Sequence, residues 1–302
     1  MGKLVTPILY LVFNRLDPVK ETFEKIRIAK PNRLYIAGDG PRANRPGETE
    51  KVEQVREFIL ENIDWDCKVF TRFQDSNLGC KIGVSTAIDW FFDNEEMGII
   101  LEDDCLPTQS FFFFCQDLLI KYRDDERIGI IGGSNVSPDS STIHDYYFSI
   151  YPPIWGWATW KRTWELYDVS MLGLDEFIRN CNIRSYAQTT LARRYWTKSF
   201  LKTYNGEVDT WDYQLTFTLF KNNKINILPK TNLITNIGFT NDATHTKDRS
   251  HKNAFLKSNE LNFPLIHPEL VTINKSKDLE IEKSSFNLFN LIHEFIKSKL
   301  NV

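Results

Sequence analysis

The sequence predicts an α/β fold: a Rossmann-like, mostly parallel sheet with helices on both faces, followed by a less regular C-terminal lobe. Three observations carry this. Short apolar runs alternate with helix-length segments from Leu4 to Ile131. Each run ends on a polar or acidic cluster. One of them, Gly98–Leu101, passes without a spacer into Glu102-Asp103-Asp104.

Taken in order, Leu4–Phe13 reads as a central strand. Asp17-Pro18 supplies a helix N-cap with proline at the first helical position, and the helix runs to about Ala29. Pro31-Asn32 breaks it, and Arg33–Ala37 is a second strand ending at Gly38-Asp39-Gly40-Pro41. Glu48–Asn62 is a helix with Val52, Val55, Phe58 and Ile59 on one face. Lys68–Phe73 is a strand, Lys81–Phe92 a helix and Gly98–Leu101 a strand. Thr108–Tyr122 is again helical, and Ile128–Ile131 extended.

Parallel strands joined by crossover helices place their strand-to-helix loops along one edge. Asn14-Arg15, Asp39, Asn77-Leu78-Gly79 and Glu102–Asp104 then share a rim. Beyond it lie a Trp-rich stretch (Tyr151–Trp164), a helical region over Leu174–Thr203 and the segment Asp209-Thr210-Trp211-Asp212. The polar stretch Asn236–Lys252 reads as a loop able to close as a lid. Residues 284–302 form an amphipathic helix through Leu288, Phe289, Ile292, Phe295, Ile296 and Leu300. The expected organisation is a nucleotide-binding half over 1–135, a second half of the same domain over 136–283, and that terminal helix.

Composition narrows the class. The chain has 302 residues, 42% of them hydrophobic and 25% charged, values of an ordinary globular protein. A net charge of −3 provides no broad basic surface, so nucleic acid is not an expected partner. The five cysteines contain no CxxC pair and read as reduced, apolar residues. The apolar run Ile8–Phe13 is too short for a signal peptide, no segment has the length of a transmembrane helix, and the expected compartment is cytoplasmic.

The acidic triplet carries the chemistry. Three adjacent carboxylates repel one another, and burying them unpaired costs several kcal/mol each, about the scale of an uncompensated ion. Mn²⁺ or Mg²⁺ relieves the conflict through hard oxygen ligands. In open α/β sheets ligands bind beyond the carboxyl ends of the strands, where this triplet falls. A metal there commonly serves phosphates, which points to an enzyme of nucleotide-activated substrates.

With these motifs in their order, the chain resembles the GT-A glycosyltransferases. The likeness is nearest to the inverting N-acetylglucosaminyltransferase family that begins complex N-glycans, over roughly residues 6–246. The run comprises Asn14-Arg15, Asp39, Lys81-Ile82, Glu102-Asp103-Asp104, Pro153-Ile154-Trp155-Gly156-Trp157, Trp211-Asp212 and a polar loop with His245. The resemblance implies that Asp104 is the direct metal ligand and that Glu102 and Asp103 meet the donor's sugar and ribose. It implies that Arg15, Asp39, Lys81, Trp155, Trp211 and His245 bind the donor and that Asp212 is the general base. It implies a UDP-sugar donor, and a saccharide or lipid-linked acceptor met by the second half of the domain. Polysaccharide or glycan synthesis follows, with the terminal helix either packed on the body or touching a membrane. The chain departs from the family at Asn14, where the pattern has an acidic residue, at Trp155, where it has a smaller aliphatic, and at Tyr213, where it has a second carboxylate.

Plainer readings stand beside these. The triplet is also what an acidic helix start looks like, and Asp212 what a helix N-terminal carboxylate looks like. Arg15 could pair with Asp17, Lys81 could be solvated, and Trp157, Trp160 and Trp164 at helical spacing could be core. Two other functions share the pattern. A sugar-1-phosphate nucleotidyltransferase uses the same sheet and metal but needs a glycine-rich loop after the first strand, and Phe13–Pro18 has no glycine. A catalytically silent sugar-binding protein would retain the fold alone.

Overall fold

The computed structural model describes residues 2–139, 142–239 and 256–286. Strand β1 (Ile8–Val12) leads through helix α1 (Leu16–Ala29) to β2 (Arg33–Gly38), and α2 (Glu48–Glu61) leads to β3 (Lys68–Phe73). Helix α3 (Gly79–Asn94) returns the chain to β4 (Met97–Glu102), which turns into the short β5 (Cys105–Pro107). Then come α4 (Gln109–Lys121), β6 (Ile128–Gly132), β7 (Tyr146–Ser149) and β8 (Trp157–Trp160). Four helices follow: α5 (Lys161–Trp164), α6 (Leu174–Arg179), α7 (Ile183–Tyr186) and α8 (Thr190–Tyr204). The described chain ends with α9 (Asp212–Lys221), β9 (Ile225–Pro229), β10 (Ile234–Asn236) and α10 (Lys275–Ser285).

Eight strands form one sheet in the order β3-β2-β1-β4-β8-β6-β9-β7. Strands β3, β2, β1 and β4 are mutually parallel, β6 and β9 pair in parallel, and β8 and β7 run against their neighbours. This is the α/β class read from the sequence, with a mostly parallel sheet covered by helices. The strands β5 and β10 pair separately, antiparallel, bringing Cys105 opposite Asn236.

The period of two along β1 divides the core. Ile8, Tyr10 and Val12 pack on one face of the sheet with α1 and α4, while Leu9 and Leu11 pack on the other with α3 and the tryptophans Trp157, Trp164 and Trp211. A further cluster, with Phe177, Trp196, Phe200, Phe217 and Phe220, fills the second half of the chain.

Three readings of the sequence need correction. Helix α1 begins at Leu16, so Asp17 and Pro18 lie inside its first turn, where proline's missing N–H costs nothing. Trp157 and Trp160 lie on strand β8 rather than on a helix, and they face opposite sides of the sheet; only Trp164 is helical. Their spacing matched a helix by coincidence, although all three are core. The region Leu174–Thr203 divides into α6, α7 and α8. His245, most of the polar loop and all but the start of the terminal amphipathic segment lie outside the described residues. Among the described residues no helix is long and apolar enough to cross a membrane.

Candidate active site

The parallel strands β1 to β4 end on one rim, and a cavity of about 640 Å³ opens there. Asn14 and Arg15 after β1, Asp39 after β2, Asn77 and Gly79 after β3, and Glu102, Asp103 and Asp104 at the end of β4 all line it. From the second half of the chain come Trp155, Tyr195, the segment Asp209–Tyr213, Asn236 and Phe239.

The turn after β4 is fixed from below. Thr22 on α1 donates its hydroxyl to the Asp103 carbonyl at 2.9 Å, and Ile237 donates its backbone N–H to the Asp104 carbonyl at 2.9 Å. Arg15 pairs with both aspartates rather than with Asp17, donating to Asp103 and, at 2.7 Å, to Asp104 Oδ2. Burial pushes the Asp103 carboxyl up to about 6, against the pull of Arg15. Burial pushes Glu102 further, to about 8, helped by the charges of Asp104, Asp103 and Asp212. The Glu102 carboxylate makes no hydrogen bond or ion pair among the described residues. It lines the cavity beside three other carboxylates, with Arg15 as the cation that opposes their effect.

Two glycines let backbone and carboxylate approach. Gly79, at φ +80°, opens α3 where a Cβ would stand 2.7 Å from Asp209 Oδ2. Asp209 thereby accepts the N–H groups of Cys80 and Lys81 at 3.0 and 3.1 Å, closing the exposed start of α3. Gly238 lies against Asp104, and a Cβ there would overlap Asp104 Oδ2.

Asp39 is fully engaged by its own loops. Its Oδ1 accepts from the N–H groups of Gly40 and Leu78, and its Oδ2 from the Asn77 amide and the Gly79 N–H, at 2.8–3.1 Å. Lys81 is not among the residues lining the cavity. Trp211 lines it but is buried, stacked on Trp157 with ring centres 5.6 Å apart. Trp155 stands edge-on to Phe239 at 5.8 Å. Asp212 is the first residue of α9, where the helix dipole favours a carboxylate. Its Oδ1 accepts from the Thr210 hydroxyl and from the Tyr213 N–H at 2.8 Å, while Oδ2 has no hydrogen bond among the described residues.

Sequence reasoning passed over three contributors, Arg42, Arg72 and Tyr195, and named Asp209 only within its segment, without a role. Arg42 is paired with Glu48, which also accepts from Asn14. Arg72, at the end of β3, makes no ion pair among the described residues. Its place on the rim followed from the parallel sheet, since β3 ends beside β2. Tyr195 carried no signal, because only packing of α8 on α9 brings its hydroxyl within 2.9 Å of Tyr213.

The donor set can be tested against a divalent cation. Among the described residues no group of three or more His, Cys, Asp and Glu side chains is arranged to hold a metal. An all-protein cage is therefore not what these residues form. A cation here would have at most one or two carboxylates, Asp104 and Glu102, with phosphate and water completing its shell, and Asp104 Oδ2 would be shared with Arg15.

No protein-family model matches the chain, and no curated protein matches it. Solved structures give partial likenesses. HddC from Yersinia pseudotuberculosis, also solved in complex with GMP-PN, is similar at 11% identity, over 52% of this chain and 78% of that one, with a TM-score of 0.33. S. aureus TarS 1-349 is similar at 8% identity over 52% of this chain, with a TM-score of 0.34; this chain spans 47% of it. The 4-diphosphocytidyl-2C-methyl-D-erythritolsynthase from Anaerococcus prevotii is similar at 10% identity, over 53% and 74%, with a TM-score of 0.31. The geometry of the rim, not these likenesses, carries the functional reading.

Proposed function

We propose that this chain is an inverting glycosyltransferase that moves a sugar from a nucleoside diphosphate sugar, a UDP-sugar by the GT-A resemblance, to a hydroxyl of a saccharide or lipid-linked acceptor. The observation that carries it is the presence of two kinds of carboxylate in one cavity: Glu102 to Asp104 at the end of β4, and Asp212, whose Oδ2 has no hydrogen bond among the described residues. In this reading Asp104, with Glu102 beside it, holds Mn²⁺ or Mg²⁺. A cation held by them would supply Lewis-acid neutralisation of the charge on the leaving diphosphate.

The chain's own residues do the rest. Asp212 Oδ2 takes the proton of the acceptor hydroxyl as that oxygen attacks the anomeric carbon. The bond from that carbon to the diphosphate oxygen breaks with its electron pair leaving on the nucleotide, and attack opposite the leaving group inverts the centre. The hydrogen bonds from Thr210 and Tyr213 fix Oδ1 and so orient the base. Trp155 walls the sugar, and Arg72 and Arg42 flank the nucleoside side. Asp39 acts chiefly by shaping the β2 and β3 loops around the base, its oxygens being taken by N–H donors.

The test is incubation with Mn²⁺ and, in turn, UDP-, GDP- and dTDP-sugars, reading nucleoside diphosphate release. Release that depends on metal and acceptor is the expected result. Pyrophosphate release from nucleoside triphosphates would replace the reading with nucleotidyl transfer. Binding without turnover of any donor would leave a sugar-nucleotide-binding protein.

A further inference from the structure

The charge of this chain is unevenly placed. Residues 177–206, between Glu176 and Glu207, hold six basic side chains, Arg179, Arg184, Arg193, Arg194, Lys198 and Lys202, and no acidic one, in a chain with 40 acidic and 37 basic residues; Glu207 is the one carboxylate beside Arg194, Lys198 and Lys202 on this surface among the described residues. Much of this charge lies on α8. The inward side of that helix is set by the buried Ala192, Trp196, Phe200 and Thr203. Arg194, Lys198, Leu201 and Lys202 fall at i, i+4, i+7 and i+8, and so share the outward side. Arg194 and Lys198 are exposed, and none of the three cations makes an ion pair among the described residues. Apolar groups stand among them: Leu201 is 37% exposed and Tyr204 49%.

This face adjoins the cavity. Tyr195 lines the cavity, and Lys198 and Lys202 follow it at i+3 and i+7 along the same edge of α8. The Phe286 ring packs on the same helix, 4.6 Å from Tyr195 and 5.7 Å from Trp196. The sequence beyond Phe286 repeats the chemistry of the α8 face, with Leu288, Phe289, Ile292, Phe295, Ile296 and Leu300 at helical spacing beside Lys297 and Lys299.

We propose that the outward face of α8, through Arg194, Lys198 and Lys202 with Leu201 and Tyr204, docks the protein on an anionic lipid surface beside the mouth of the cavity. Cations draw such a face to acidic headgroups, and interleaved apolar side chains enter the boundary beneath them. A soluble polyanion would use the charges and gain nothing from Leu201 or Tyr204. The inference stands apart from the transfer reaction, and its test reads binding alone.

The experiment is co-sedimentation of the full chain with vesicles of phosphatidylcholine alone or with phosphatidylglycerol added. Binding should require the anionic lipid and weaken as salt is raised. Arg194→Glu/Lys198→Glu/Lys202→Glu should cut partitioning by well over 100-fold, since losing three cations worth roughly fivefold each already costs about 100-fold and the new carboxylates repel the headgroups. The Gln versions of the three substitutions should give an intermediate loss at unchanged Tm, separating charge from misfolding. Equal binding by the triple Glu variant, or none by the natural chain, would overturn the proposal. So would binding of inorganic polyphosphate through these cations without vesicle binding, which would assign the face to a soluble anionic polymer.

Discussion

Gly238 and Asp104 are in such close approach that an added Cβ would overlap Asp104 Oδ2. The same oxygen accepts from Arg15 at 2.7 Å, so it cannot swing aside without breaking that pair. The backbone at Gly238 is not left-handed, so alanine there meets no conformational strain, only the carboxylate. Gly238→Ala should reduce turnover roughly 10²-fold, the cost of about 1 Å of misplacement in a reacting group. Stability should fall by only about 1–3 kcal/mol, as for other overpacking changes. Donor turnover and a thermal melt on one preparation check this; full activity would mean that Asp104's position does not matter.

Asp104→Ala should remove the Mn²⁺-dependent part of UDP binding. Arg15 pairs with both aspartates, so in the variant it keeps Asp103 as its partner, and Glu102 is left as the one carboxylate of the triplet without an ion pair among the described residues. Calorimetric titration of UDP with and without Mn²⁺ measures it. An unchanged metal dependence would reject Asp104 as the ligand.

Asp212→Asn should leave donor affinity intact and lower transfer by roughly 10²–10⁴-fold, the usual contribution of a general base. The amide still accepts from Thr210 and Tyr213 through its oxygen, so the side chain stays in place. If donor affinity fell and the maximal rate held, Asp212 would be a binding residue instead.

Asp278, on α10, gives a prediction about stability. Its carboxylate accepts from the Ser149 hydroxyl and the Ile150 N–H, yet burial raises it from an ordinary 3.8 to about 6. The folded state therefore holds a proton that the unfolded chain releases above pH 3.8. Stability from this group is fully present below that value and is lost as pH rises to about 6, amounting to about 3 kcal/mol at most. Asp278→Asn should flatten the pH dependence of denaturant midpoints across that window. An equal slope in both proteins would show that Asp278 does not titrate there.

The sequence by itself determined the alternation of strands and helices through Ile131 and the rim formed by four loop clusters, because periodicity and turn residues act locally. It also singled out the acidic triplet, since three adjacent carboxylates directly after an apolar strand repel one another and call for a compensating charge. Only the tertiary structure decided the rest. It placed Trp157 and Trp160 on an antiparallel strand between β4 and β6, a matter of distant pairing and not of spacing. It gave Arg15 to Asp103 and Asp104, occupied Asp39 with N–H donors, left Lys81 off the cavity lining and brought Tyr195 to Tyr213. Those contacts join residues far apart in the chain, and they depend on packing between elements that no local pattern encodes.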